Sequence, residues 1–184
     1  RNVDLGGSIH SKGVMILSAY LSSVFGKTAK VPLTTNITFE QSYGGVDGDS
    51  ASMAEFCAVV SAFSKQPNRQ DIAITGSMNQ FGESQPIGGV NEKIEGFFDV
   101  CEIKGRSNEQ GVIIPRSNVH NLMLRGDIVK AVEKGEFNIW AIDHVTEAIE
   151  LFTGKAAGEA SDEGSYPIDT IFGIAQAKLN ALRK

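Results

Sequence analysis

Cysteine is almost missing from this chain. The two that occur, Cys57 and Cys101, stand far apart, with no Cys-x-x-Cys pair and no Cys/His cluster at metal-ligand spacing. Both lie in apolar stretches, so they read as reduced core thiols of a cytoplasmic protein. Positive charge is also short: 17 Lys and Arg stand against 22 Asp and Glu, a net charge of -5. Such a balance leaves no footprint for a phosphate backbone, and no nucleic acid partner is expected. No apolar run is long enough to span a bilayer, and no signal peptide is visible. The sequence opens at Arg1 rather than Met, which is expected of a fragment or a processed product. Histidine is scarce too, with His10, His120 and His144 only.

What remains is ordinary globular protein. The 184 residues are 41% hydrophobic and 21% charged, enough for one domain, or one domain and a tail, with a real core. Apolar residues at Val14, Ile16, Leu17, Tyr20, Leu21 and Val24 predict a helix over 11–25, stopped by Gly26. Residues 35–41 alternate like a strand around Ile37 and Phe39. A loop rich in glycine and aspartate, 43–49, leads into a helix over 50–63 that is apolar at nearly every angle and should be buried on several sides. Strands are expected over 71–78, 111–115 and 137–142. Helices are expected over 90–103, within 118–134 (one or two), and over 144–152. This mixture predicts an α/β (α+β) fold, a compact body of mixed sheet and helices. Residues 154–165 have almost nothing to bury and read as a linker, followed by a terminal helix over 168–182. The expected division is 1–154 for the main domain and 155–184 for a linker and helical tail.

Two residues draw attention for their chemistry. Ser50 sits where the glycine loop meets the buried helix. On spacing alone a helix cap is the better reading. The functional reading is a nucleophile, with free N–H groups and the positive helix end ready for an oxyanion. A serine nucleophile needs a base. None of the three histidines lies in a glycine-rich loop or in a telling arrangement with an Asp. The run Gly48-Asp49-Ser50-Ala51-Ser52 is no Gly-x-Ser-x-Gly elbow, since Ser52 stands in the place of the last glycine. A histidine-based hydrolase is thus the weaker alternative. Lys93, in the first turn of the helix after Pro86-Ile87-Gly88-Gly89, falls at the edge of the apolar stripe, although Lys104 has a similar angle. A lysine acting as base must be neutral near pH 7, about 3 units below its ordinary 10.4, which corresponds to about 4 kcal/mol. Burial is the lever, and a nearby carboxylate opposes it. Asp49 is therefore expected to act, if at all, as a latch that pairs with Lys93 at rest and swings away. Gly26-Lys27-Thr28 is no phosphate loop: Leu21 stands where its first glycine belongs, and a helix precedes it.

Taken together, Asp49-Ser50-Ala51-Ser52, Thr75-Gly76-Ser77 and Pro86-Ile87-Gly88-Gly89-Val90-Asn91-Glu92-Lys93 resemble the peptidase domain of Lon proteases. The separation of 43 residues between Ser50 and Lys93 is that of the family's serine–lysine dyad. Asp47-Gly48 before the Asp-Ser-Ala-Ser run, with His10-Ser11-Lys12-Gly13 and Phe39-Glu40-Gln41-Ser42-Tyr43, is similar to the archaeal-type branch. The resemblance covers about 5–154. It implies a serine endopeptidase acting on unfolded or misfolded polypeptides. Ser50 and Lys93 would form the dyad, Thr75 would help to hold the lysine, and Asp47 and Asp49 would be the acidic positions beside the nucleophile. The family often has Glu where Asp47 stands. The resemblance also implies a homo-hexameric ring and an AAA+ ATPase module outside this chain, so ATP and Mg would act there and no cofactor or metal is expected in this domain. The rival reading is a Lon-like assembly or interaction module that is inactive or latched.

Overall fold

The computed structural model describes residues 7–26, 35–39 and 44–182. Its elements, in chain order, are α1 (Ser8–Phe25), α2 (Ser52–Ser64), β1 (Ile72–Ile74), β2 (Ser77–Met78), β3 (Ser84–Gln85), α3 (Val90–Lys104), β4 (Gly111–Pro115), a 3-10 turn (Arg116–Asn121), α4 (Gly126–Glu133), β5 (Asn138–Ile142), α5 (Val145–Thr153) and α6 (Ile171–Ala181). The fold is of the expected mixed α/β kind.

The centre is a parallel sheet in the order β1-β4-β5, with Ile72 opposite Gly111 and Gly111 opposite Asn138. Central β4 is Gly-Val-Ile-Ile-Pro and buried throughout, as a strand covered on both faces must be. Its side chains alternate between two cores. Ile113 points into the core made by α1, α2, α5 and α6, with Phe56, Ile149 and Phe172. Val112 and Ile114 point the other way, to Ile94 and Phe98 of α3 and Ile128 of α4. Gly111 is needed because a Cβ there would run into the Asn138 carbonyl of the neighbouring strand.

Three expectations need correction. The segment 71–78 is not one strand: it breaks after Ile74, because the Gly76 N–H donates to the Ser50 carbonyl at 2.8 Å rather than to a sheet partner. Of the strand expected over 35–41, residues 35–39 have no strand structure, and 40–41 lie outside the described residues. Residues 155–182 are also no separate tail. The expected helix forms as α6, but Ile171, Phe172, Ala175 and Leu179 are buried in the same core as α2, and Ala157 of the expected linker joins them. Lys178 Nζ donates to the Ser64 carbonyl at 2.7 Å and so satisfies the end of α2. Phe172 has its ring edge-on to Phe25 at 5.6 Å and to Phe56 at 6.5 Å.

Phe172→Ala should therefore lower the stability of the whole unit by about 3–5 kcal/mol. Urea unfolding followed by tryptophan fluorescence and by circular dichroism should move together to a lower midpoint. An unchanged midpoint would mean that α6 is dispensable to the core.

Candidate active site

The sequence puts Ser50 at the head of a helix, but α2 begins two residues later, at Ser52. Ser50 stands in the turn before it. That turn is clamped from both sides: the Ser52 N–H donates to the Asp49 carbonyl at 3.0 Å, and the Gly76 N–H to the Ser50 carbonyl at 2.8 Å. The Met53 N–H closes the loop onto the Gly76 carbonyl at 3.3 Å. Gly76 lets the Met53 methyl pack directly on this turn, where a Cβ would displace it. Neither the Ser50 N–H nor the Ala51 N–H donates to a described backbone carbonyl, so both remain open to a ligand oxygen. Ser50 is thus no cap of α2 by its side chain.

Lys93 comes from the opposite layer. Gly89, at φ 68°, starts α3 in the left-handed region that favours glycine, and its carbonyl accepts the Lys93 N–H at 3.1 Å. The lysine stem then reaches over the end of β1. Lys93 Nζ lies 3.0 Å from Ser50 Oγ and 3.4 Å from Thr75 Oγ1. Thr75 is buried and fixed by its N–H to the Ile113 carbonyl at 3.0 Å. Lys104, which periodicity left level with Lys93, is in the last turn of the same helix and points to no part of this site. A hollow of about 360 Å³ adjoins the pair, lined by Phe39, Ala51, Ala54, Ala73, Ile74 and Val112 as well as the three polar residues. Its walls are mostly apolar. Lys93 itself is exposed in the single chain.

The acidic neighbours face elsewhere. Asp47 Oδ1 accepts the N–H groups of Ile9 and His10 at 3.2 and 3.4 Å. Backbone donation from Gly48, then from His10 and Ile9, holds its carboxyl below the usual range. Asp49 makes no ion pair with Lys93 among the described residues. Of the histidines, His144 caps α5 and spends its ring nitrogens on Thr146 and on the Phe81 carbonyl. His120 is exposed in the 3-10 turn. His10 faces Glu55 rather than Ser50. No group of three or more metal-binding side chains is found among the described residues, and no helix there is long and apolar enough to cross a membrane.

Sequence reasoning passed over two residues of this neighbourhood. Glu55 is 4% exposed and is the one charged side chain on the buried sides of α2. The signal was present, since a lone carboxylate on such a helix has to be answered by a partner. Phe39 entered only as an apolar residue of an expected strand and as part of a motif, and its place in the wall of the hollow depends on tertiary packing.

The chain matches the model of the Lon protease (S16) C-terminal proteolytic domain over residues 42–153. It is 55% identical over 151 residues to a Lon protease homolog of Escherichia coli (strain K12), covering 82% of this chain and 26% of that protein. A Lon protease homolog of Haemophilus influenzae is 47% identical over 179 residues, 97% of this chain and 30% of its own length. The archaeal Lon protease of Pyrococcus abyssi is 34% identical over 145 residues, 79% of this chain and 13% of that protein. The chain therefore spans less than a third of the length of these curated relatives.

Burial pushes the Glu55 carboxyl above its ordinary 4.5, against the pull of His10. The folded state thus holds this proton more tightly than the unfolded one. The stability it contributes is complete below pH 4.5 and is lost as the pH rises through the raised value. Glu55→Gln cannot ionise, so it should gain on the wild type as the pH climbs from about 4.5 and then level off. Urea midpoints of both proteins across that range test this, and a difference that stays flat with pH counts against it.

Proposed function

This chain belongs to the Lon protease proteolytic-domain family, and on that footing we propose that it is a serine endopeptidase with Ser50 as nucleophile and Lys93 as general base. The observation that carries the reading is the 3.0 Å approach of Lys93 Nζ to Ser50 Oγ across 43 residues of sequence. That distance lies within proton-transfer reach. Thr75 Oγ1 gives the amine a second anchor and fixes its direction.

The steps follow from the geometry. A neutral Lys93 accepts the Ser50 hydroxyl proton along the 3.0 Å line while Oγ bonds to the peptide carbonyl carbon. The carbonyl oxygen gains negative charge, and the Ser50 and Ala51 N–H groups, ahead of the positive end of α2, would be the donors that receive it. The C–N bond then breaks, and the leaving amine takes the proton from Lys93. In the second half a water gives its proton to Lys93 and attacks the acyl ester, and Ser50 Oγ recovers a proton as it leaves. The alanine and isoleucine walls of the hollow offer an adjoining side chain an apolar seat.

A lysine base works in a water-poor pocket, and Lys93 is exposed in the single chain. Enclosure therefore has to come from bound substrate and from neighbouring subunits. This supports the ring assembly, a homo-hexamer, that the family resemblance implies. The physiological substrates would be unfolded or misfolded polypeptides, delivered in the cytoplasm by an AAA+ ATPase module that brings its own ATP and Mg. Asp47 and Asp49 flank the nucleophile as loop-holding residues, with Asp49 free to serve as the latch.

A fluorophosphonate probe should label Ser50 in the wild type and fail with Ser50→Ala. Lys93→Met should slow both labelling and peptide hydrolysis by about 10²–10⁴-fold, and Thr75→Val by about tenfold. Labelling that survives Lys93→Met at the wild-type rate would remove the lysine from the mechanism. Absence of labelling in every assembled state would leave the inactive assembly module as the correct reading.

A further inference from the structure

The first turn of α1 touches the surroundings of Ser50 on three sides, and the mechanism above assigns it no part. The Gly7 N–H donates to the Val46 carbonyl at 2.8 Å, and Asp47 Oδ1 accepts from Ile9 and His10. The Asp47 carboxylate fits there because Gly7 has no side chain; a Cβ would run into it. Further along, Gly13 brings α1 against the loop and α2, where a Cβ would lie 3.2 Å from that of Asp49 and 3.9 Å from that of Ser52. Ser52 Oγ is sealed nearby with no hydrogen-bond partner among the described residues, as where α1 and α2 close tightly on a hydroxyl.

His10 lies at the centre of this seam. Its Nε2 is 3.6 Å from Glu55 Oε1, and among the described residues it is the one ion-pair partner of that buried carboxyl. Its ring stands edge-on to Phe39, with centroids 5.8 Å apart. Phe39 is a wall of the Ser50 hollow. Glu55 belongs to the first turn of α2, and its N–H donates to the Ala51 carbonyl at 2.9 Å. One residue therefore holds the loop before Ser50 by its backbone, the turn after Ser50 through Glu55, and the wall of the hollow through Phe39.

We propose that His10 is a positioning residue for Ser50, fixing the 50–53 turn and the Phe39 wall in the geometry that meets Lys93. It touches neither Ser50 nor the place where substrate would lie, and it acts through Glu55 and Phe39. The kinetic consequences rest on the peptidase reading given above, whereas the structural ones do not.

The test uses the full chain carrying His10→Ala, His10→Gln, Glu55→Met, and His10→Ala with Glu55→Met together. Amide hydrogen exchange is measured over the whole chain. In parallel, kcat and KM are measured on a fluorogenic peptide, and the rate of Ser50 labelling by a fluorophosphonate is followed. His10→Ala should speed exchange over 44–56 by roughly tenfold with 111–142 unchanged, and lower kcat by roughly tenfold with KM within about twofold. His10→Gln, whose amide can reach toward Glu55 in place of the ring, should recover most of both. The double variant should be no worse than the poorer single one, as coupling through one contact requires. Unchanged exchange over 44–56, a rise spread evenly along the chain, or effects that multiply in the double variant would each overturn the proposal. If wild-type Ser50 takes no label and no peptide is cut, the peptidase reading falls, and the exchange data still decide whether His10 positions the turn.

Discussion

Everything near the hollow depends on the corner at Thr75-Gly76, where β1 leaves the sheet. Thr75 gives its N–H to the Ile113 carbonyl of the central strand and its Oγ1 to the neighbourhood of Lys93 Nζ. Gly76 gives its N–H to the Ser50 carbonyl and accepts from Met53. Two adjacent residues thus tie the most buried strand to both members of the pair. Neither the turn that carries Ser50 nor the helix that carries Lys93 could alone hold the pair to 3.0 Å, because long side chains and turn residues carry too much conformational freedom. The sheet supplies the rigid reference, and the corner transmits it.

This arrangement also explains why the two cores matter to the site. α2 sits in the core on one face of the sheet and α3 in the core on the other. The site opens where these layers meet, past the carboxyl end of β1, which is where parallel sheets commonly receive ligands. The C-terminal helix strengthens one side of it. By packing Phe172 and Leu179 into the α2 core and satisfying the Ser64 carbonyl with Lys178, α6 steadies the helix that follows Ser50.

Much of this was legible in the chain, and the misses share a cause. Periodicity located α1, α3, β4, β5, α5 and α6, because their apolar residues repeat at the spacing of the surface they bury. It read 71–78 as a single strand, because Ile72, Ala73 and Ile74 look alike in pattern whether or not Gly76 turns to another partner. It placed the start of α2 at Ser50, since a backbone bond to Asp49 leaves no mark in composition. It also left Lys93 and Lys104 level, because angle around a helix says nothing of which end faces a serine. Ser50 and Lys93 were singled out by motif wording and spacing, and only the fold brings them together. For α6 the error was one of context: its buried residues were visible, but the polar stretch before it suggested detachment.

The charges around Ser50 form a consistent pattern. An amine destined to act as a base is hindered by any carboxylate at its side, since such a neighbour favours the charged form. The loop and helix around Ser50 nevertheless carry three acids, Asp47, Asp49 and Glu55. Asp47 spends its oxygens on the backbone N–H groups of α1, and Glu55 turns into the seam toward His10. Neither they nor Asp49 pairs with Lys93, whose neighbours are two hydroxyls. Asp47 thus anchors the turn at Ser50 to α1, and Asp47 and Glu55 are oriented away from the amine. Gly7 leaves room for the Asp47 carboxylate against α1, since a Cβ there would run into it, and Gly13 lets α1 lie close to Asp49.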